Sequence, residues 1–183
     1  MKTVRDACVL QPNALEIRVS DQIEQLDQII AEEGDGRAFF DKTHITQGMR
    51  ALIHEGFARL AGKSTQAVFH LKQAMGGGKT HLMVGFGLLA RHEKLRTAYC
   101  SDVPCQKDFK TARVAAFNGR NTPDHYFWGE IAHQLDRPEV FKKFWESGPK
   151  APDEKAWLAL FDVPEPVLIL LDEMPPYFHY LDT

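Results

Sequence analysis

The chain has 183 residues, 22 basic and 25 acidic, a formal net charge of -3 and 44% hydrophobic side chains. That composition excludes collagen, coiled coil and a disordered chain, and its near balance of charge leaves nucleic-acid contact only to a local patch. Three cysteines make no disulfide framework and fit a reduced, cytoplasmic setting. No apolar run reaches the ~18 residues a membrane span needs, and the charges at Lys2, Arg5 and Asp6 argue against a signal peptide.

Residues 14–19 read as a short strand. Ser20 is placed to cap a helix, with Asp21 and Glu24 at the positive end of its dipole. Ile23, Leu26 and Ile30 follow at helical spacing, and Gly34 and Gly36 end the run. A second helix starts near Thr46, with Met49, Leu52, Ile53, Phe57 and Leu60 on one apolar stripe and Gly62 as its stop. Residues 1–63 are therefore expected to form a mostly helical extension.

The pattern changes at Gln66. Ala67, Val68, Phe69, His70 and Leu71 form a short, mostly apolar run that predicts a buried strand. Leu82, Met83, Val84, Phe86, Leu88 and Leu89 make residues 81–90 apolar almost all round, which predicts a helix buried between layers. Gly85 and Gly87 would let that helix pack closely on a sheet. Residues 96–100 and 113–117 read as strands. Thr122 and Pro123 predict a helix start, as cap and first helical residue, and Trp128, Ile131, Ala132 and Leu135 continue it. Residues 153–161 read as a short helix. Val167, Leu168, Ile169, Leu170 and Leu171 have the character of a central parallel strand, and they run into Asp172 and Glu173. Pro175 and Pro176 are expected to end any helix after that acidic pair. Strands alternating with helices over 64–183 predict a parallel α/β sheet.

The chemistry centres on Gly76-Gly77-Gly78-Lys79-Thr80, between a predicted strand and a predicted helix. Glycines let backbone N–H groups crowd around a phosphate, and the helix start points its positive end at the same anion. Lys79 can reach the β- and γ-phosphates, and the Thr80 hydroxyl can ligate Mg2+. The full phosphate-loop pattern asks for glycine where Gln73 stands. A flexible turn and a solvated lysine would be the bland reading, but the flanking strand and buried helix favour nucleotide binding. Asp172 and Glu173, delivered to the C-terminal edge of a sheet, supply the second half of such a site. Asp172 would hold Mg2+ and Glu173 would orient or deprotonate the attacking water.

Other groups read as ordinary structure. Cys100 and Cys105 have no second pair at zinc-ligand spacing. His81 beside the loop suits a helix-packing role. Tyr126, Phe127 and Trp128 fit core better than base stacking, and Lys107, Lys110, Arg113 and Arg120 fit a solvated face better than a DNA contact.

Lys79 and Asp172 stand roughly ninety residues apart, room for one or two further strands, with a glutamate directly after the aspartate. This resembles the additional-strand, catalytic-glutamate branch of phosphate-loop ATPases more than small GTPases or nucleotide kinases. Three segments then carry a closer likeness: Phe39-Phe40-Asp41-Lys42-Thr43-His44-Ile45-Thr46-Gln47-Gly48-Met49, Gln73-Ala74-Met75-Gly76-Gly77-Gly78-Lys79-Thr80-His81 and Leu170-Leu171-Asp172-Glu173-Met174-Pro175-Pro176-Tyr177-Phe178. They resemble the predicted AAA+-type ATPases that carry the domain of unknown function 499, from about Thr3 to the end of the chain. In that family a residue other than glycine at the Gln73 position is the habit.

The resemblance implies an AAA+-like sheet, ATP as nucleotide and Mg2+ as cofactor. Residues 73–81 would form the phosphate-binding loop, Lys79 and Glu173 would be catalytic, and Thr80 and Asp172 would hold the metal. It implies a larger machine working in DNA modification or phage defence, with DNA or DNA-modification proteins as partners, a possible homo-oligomer and no membrane contact. Family members continue for many hundreds of residues, so Thr183 is expected not to be the native end. The strand that inserts beside the acidic-pair strand, the arginine finger and the lid would follow later. Marginal folding and a tendency to associate are expected. Two alternatives stand beside the ATPase: a nucleotide-dependent interaction or switch module with little turnover, and a DNA helicase-type motor fragment.

Overall fold

The computed structural model describes residues 36–72, 77–147 and 150–181. The strand expected at 14–19 and the helix expected after Ser20 lie outside the described residues, as do Gln73, Ala74, Met75 and Gly76.

Helix α1 spans Arg37–Phe40 and α2 spans Gln47–Leu60. Thr46 caps α2, its side-chain oxygen accepting the Met49 N–H at 3.2 Å. The far end closes with Lys63 N–H on the Ala58 carbonyl at 2.8 Å and Gly62 N–H on the Arg59 carbonyl at 3.0 Å. These two bonds take up carbonyls that the last turn leaves over, so the helix stops where Gly62 predicts. Helix α3 spans Lys79–Arg91 and α4 spans Glu93–Tyr99. Strand β1 is Arg113–Asn118, followed by α5 (Tyr126–Gln134), α6 (Pro138–Glu146) and α7 (Glu154–Phe161). Strand β2 is Val167–Asp172, and α8 is Met174–Leu181.

The two strands pair in parallel, Arg113 opposite Val167 and Asn118 opposite Asp172. Side chains alternate across a strand, and here the alternation divides the molecule. Val114, Ala116, Leu168 and Leu170 face a cluster built with Phe40, Ile53, Phe57 and the buried side of α3. Ala115, Phe117, Val167 and Ile169 face a second cluster, made with α5, α6, α7 and Tyr177 of α8. The result is a mixed α/β molecule with helices on both faces of a two-stranded parallel sheet. No helix among the described residues is long and apolar enough to cross a membrane.

Five expectations change. Residues 67–71 form no strand, and Val68 is 77% exposed. An apolar run becomes a strand only when a neighbour takes up its amides, and among the described residues β2 pairs with β1 alone. Residues 96–99 are helical rather than extended, because the Arg96 guanidinium is drawn into the core by backbone carbonyls of α3 and of the loop after α4. Helix α5 begins at Tyr126 instead of Pro123, and its early Phe127 N–H is taken by the Tyr177 hydroxyl at 3.1 Å, a tertiary partner in place of a Thr122 cap. Pro175 and Pro176 sit inside the first turn of α8 rather than ending a helix. First-turn N–H groups have no helical acceptor, so proline loses nothing there. Gly85 does permit close packing, but a Cβ there would meet the methyl group of Met49 at 2.5 Å, so the close neighbour is a helix and not the sheet.

Candidate functional site

Period two places Asp172 on the same face of β2 as Leu168 and Leu170, the face that carries α3. The first turn of α3 brings Thr80 to the same place. The Thr80 hydroxyl donates to the Asp172 Oδ2 at 2.5 Å, closing a sequence separation of 92 residues with one hydrogen bond. Asp172 is buried and Thr80 is half-buried, so the pair is shielded from bulk water.

The chain enters α3 through Gly78, whose φ of +77° is a left-handed conformation that side-chain-bearing residues rarely adopt. Gly78, the N-cap residue, brings no side chain to this helix start, and no acidic residue lies in its first turn. Lys79 is the first helical residue. A helix N-terminus that opens on a lysine suits an incoming anion.

His81, next along, is tied to the segment before α2. Its ring stacks on Phe39 with centroids 4.4 Å apart, and its Nε2 lies 3.0 Å from the Thr43 hydroxyl oxygen. That hydroxyl gives its one hydrogen to the Phe39 carbonyl at 2.7 Å, so the imidazole N–H must be the donor to Thr43. Two of the three sequence segments singled out above therefore meet at His81, as packing and hydrogen bonding beside the loop.

Glu173 behaves differently from its neighbour. Its φ is +50°, a strained value for a glutamate. Its side chain turns to Arg120, with Oε2 3.5 Å from Nη2. The turn is possible because Gly119 lies directly beneath it: a Cβ on Gly119 would stand 2.2 Å from the Glu173 carbonyl oxygen. The Gly119 N–H in turn donates to the Asp172 carbonyl at 2.8 Å. Residues Gly119 and Arg120 thus belong to the site, which motif reading does not reveal. The available signal is the Asn118-Gly119 dipeptide, a turn mark placed directly after a strand.

Residues 15–98 match the family model of the DUF499 N-terminal domain. No curated protein and no solved structure matches the chain. The DUF499 match contains the Phe39–Thr43 segment and the start of α3, and it ends before Arg120 and the acidic pair.

The remaining candidates do not join the site. Arg113 stands at the opposite end of β1 from Arg120 and is paired with Glu165 at 3.1 Å, so the basic stretch is not one patch. Tyr126 stacks on Trp128 at 4.5 Å, and Phe127 packs with Phe117 and Tyr177, as core side chains do. Cys100 is buried, which pushes its thiol up to about 11 and away from the thiolate a metal would need. Among the described residues no group of three histidine, cysteine, aspartate or glutamate side chains could hold a metal.

Proposed function

We propose that the chain is an ATP-binding, Mg2+-dependent ATPase module of AAA+ type, part of a larger machine acting in DNA modification or phage defence. The observation that carries this reading is the Thr80–Asp172 hydrogen bond at 2.5 Å. It puts a helix-start hydroxyl and a strand-end carboxylate side by side, next to a lysine and a glycine-rich turn. Homo-oligomer formation and contact with DNA or DNA-modifying proteins belong to the same proposal.

The donor set fits magnesium. Mg2+ takes hard oxygen ligands and completes its shell with water and substrate phosphate, so one hydroxyl and one carboxylate suffice from the protein. Thr80 and Asp172 would hold it, and when bound it would neutralise charge on the β- and γ-phosphates. Lys79 stabilises the charge that builds on the transferring phosphoryl group, together with the N–H groups that open α3. Glu173 accepts the proton of the attacking water.

Thermal melting of the chain with and without Mg·ATP tests the reading. Ligand at ~100 times its dissociation constant adds roughly 2.7 kcal/mol of stability. The expected shift is present in the wild type and absent in Lys79→Ala and Asp172→Ala. A wild-type melt indifferent to Mg·ATP would sink the proposal.

A second reading, a nucleotide-dependent switch with little turnover, is favoured by the commitment of the Glu173 carboxylate to Arg120. Glu173→Gln separates the two. It abolishes hydrolysis while keeping binding in an ATPase, and changes little in a switch.

A further inference from the structure

The first turn of α3 is held from two sides. Thr80 reaches Asp172 on the sheet, and His81, the next residue, reaches Thr43 and Phe39 on the segment before α2. We infer that, within the ATPase reading above, His81 is a positioning residue for the Mg2+ site. Its two contacts fix the rotation of the helix start and so hold the Thr80 hydroxyl beside Asp172.

Helical geometry supplies the leverage. Successive residues project roughly 100° apart about a helix axis, so Thr80 and His81 face different neighbours. The first turn therefore cannot rotate to shift Thr80 without breaking the His81 contacts. His81 and Gly85 lie four residues apart on one face of α3, and both meet Phe39. The imidazole stacks on its ring at 4.4 Å, and a Cβ on Gly85 would stand 3.2 Å from that ring. The Phe39–Thr43 segment is itself anchored away from Asp172. Phe40 is buried and stacks on Tyr99 of α4 at 4.9 Å, and the Tyr99 hydroxyl donates to the Asp41 carboxylate at 2.9 Å.

The side chain at 81 has two tasks. The Thr43 hydroxyl gives its one hydrogen to the Phe39 carbonyl at 2.7 Å, so it can only accept from His81. Residue 81 must therefore donate an N–H to Thr43 while lying flat on Phe39. Phenylalanine keeps the stack and loses the donor, glutamine keeps a donor and loses the ring, and alanine loses both. Magnesium makes the setting matter. It demands near-ideal octahedral geometry, so a displaced hydroxyl is poorly tolerated. Lys79 depends less on the rotation, because a point charge on a flexible stem finds phosphate from several directions. His81 acts through Thr80, on the part of binding that needs the metal.

The test uses the full chain and titration calorimetry with ATP, in Mg2+ and in EDTA. If the wild type binds ATP in neither, the ATPase reading fails and this inference falls with it. A wild type that binds ATP no better with Mg2+ than without also overturns it. Given a gain from Mg2+, His81→Ala and Thr43→Val are each expected to weaken Mg·ATP binding about two- to fivefold, the range of one exposed hydrogen bond. The double variant should bind no worse than the weaker single one, since both remove the same contact. Thr43→Ser keeps the acceptor and loses the methyl group, and should stay at wild-type affinity. A role in packing alone would favour valine, which keeps the shape of threonine. Thr43→Val binding as tightly as Thr43→Ser therefore overturns the inference, as does an additive double variant or a His81→Ala variant at wild-type affinity. In EDTA the variants should match the wild type, and an equal loss with and without Mg2+ counts against positioning. If binding in EDTA is too weak to read, or if His81→Ala does not melt cooperatively, the comparison of Thr43→Val with Thr43→Ser decides.

Discussion

Arg96 is fully buried, and its guanidinium is satisfied by backbone carbonyls. Nε donates to Gln106 at 2.8 Å, Nη1 to Leu89 and Ala90 at 2.8 and 3.1 Å, and Nη2 to Phe109 and Lys110 at 2.6 and 2.7 Å. Leu89 and Ala90 belong to the last turn of α3, the negative end of that helix, where a cation is favoured. Desolvation pulls the pKa of Arg96 below the ordinary arginine value, and the Phe109 ring, 4.0 Å from Cζ, adds a cation–π contact. One side chain thus pins the loop before β1 to the end of α3. Arg96→Ala should cost about 3 kcal/mol, because several buried carbonyls lose their donor at once. Arg96→Lys should recover only part of that, since an ammonium has three donors and no planar fork. Urea unfolding of the two variants checks both. Nothing in the pattern around Arg96 marks it as buried, because periodicity shows where apolar faces fall and not where carbonyls converge. Lys79, Thr80, Asp172 and Glu173 were legible by contrast, since glycine turns and acidic strand ends are local features.

At the scale of elements, strand β1 shows how a sheet edge is closed without a strand. The Gln134 side-chain amide donates to the Ala116 carbonyl and accepts the Ala116 N–H, both at 2.8 Å. It copies the donor and acceptor of a neighbouring strand and comes from the last turn of α5. Gln134→Leu leaves both Ala116 groups unmatched and should cost about 1–2 kcal/mol. Gln134→Glu keeps only an acceptor and sets a carboxylate against a carbonyl, so it should be no better than leucine. A Glu variant as stable as wild type would show that the bond to the carbonyl contributes nothing. Elements defined by local signals were legible: Thr46 and Gly62 bracket α2, and Asp153 caps α7 by accepting the Ala156 N–H at 2.9 Å. The misread elements, 67–71 and 96–100, share one cause. Their conformation depends on contacts outside the segment itself: among the described residues no strand pairs with 67–71, and the Arg96 guanidinium reaches carbonyls 6 to 14 positions away.

Across the whole molecule, the two clusters lie back to back on the same pair of strands. Ile53 of α2 is fully buried with α3 in the first cluster, and Phe141 of α6 is fully buried in the second. Because β1 and β2 contribute side chains to both, neither cluster can open without removing a wall of the other. Ile53→Ala and Phe141→Ala should each cost about 2–5 kcal/mol and lower one common melting transition. Calorimetry checks this, and two separable transitions would mean that the clusters unfold independently.

The amino-acid sequence by itself determined the helices with local caps and stops, the two strands that pair, and the residue types of the candidate site. Each of these follows from interactions within a few positions along the chain. Tertiary structure alone decided which groups meet. Strand period and the placement of α3 bring Thr80 to Asp172. The Gly119 contact and the left-handed Glu173 backbone turn the second acid to Arg120. Those outcomes depend on the register of β1 against β2, a long-range pairing that no local window of the sequence contains.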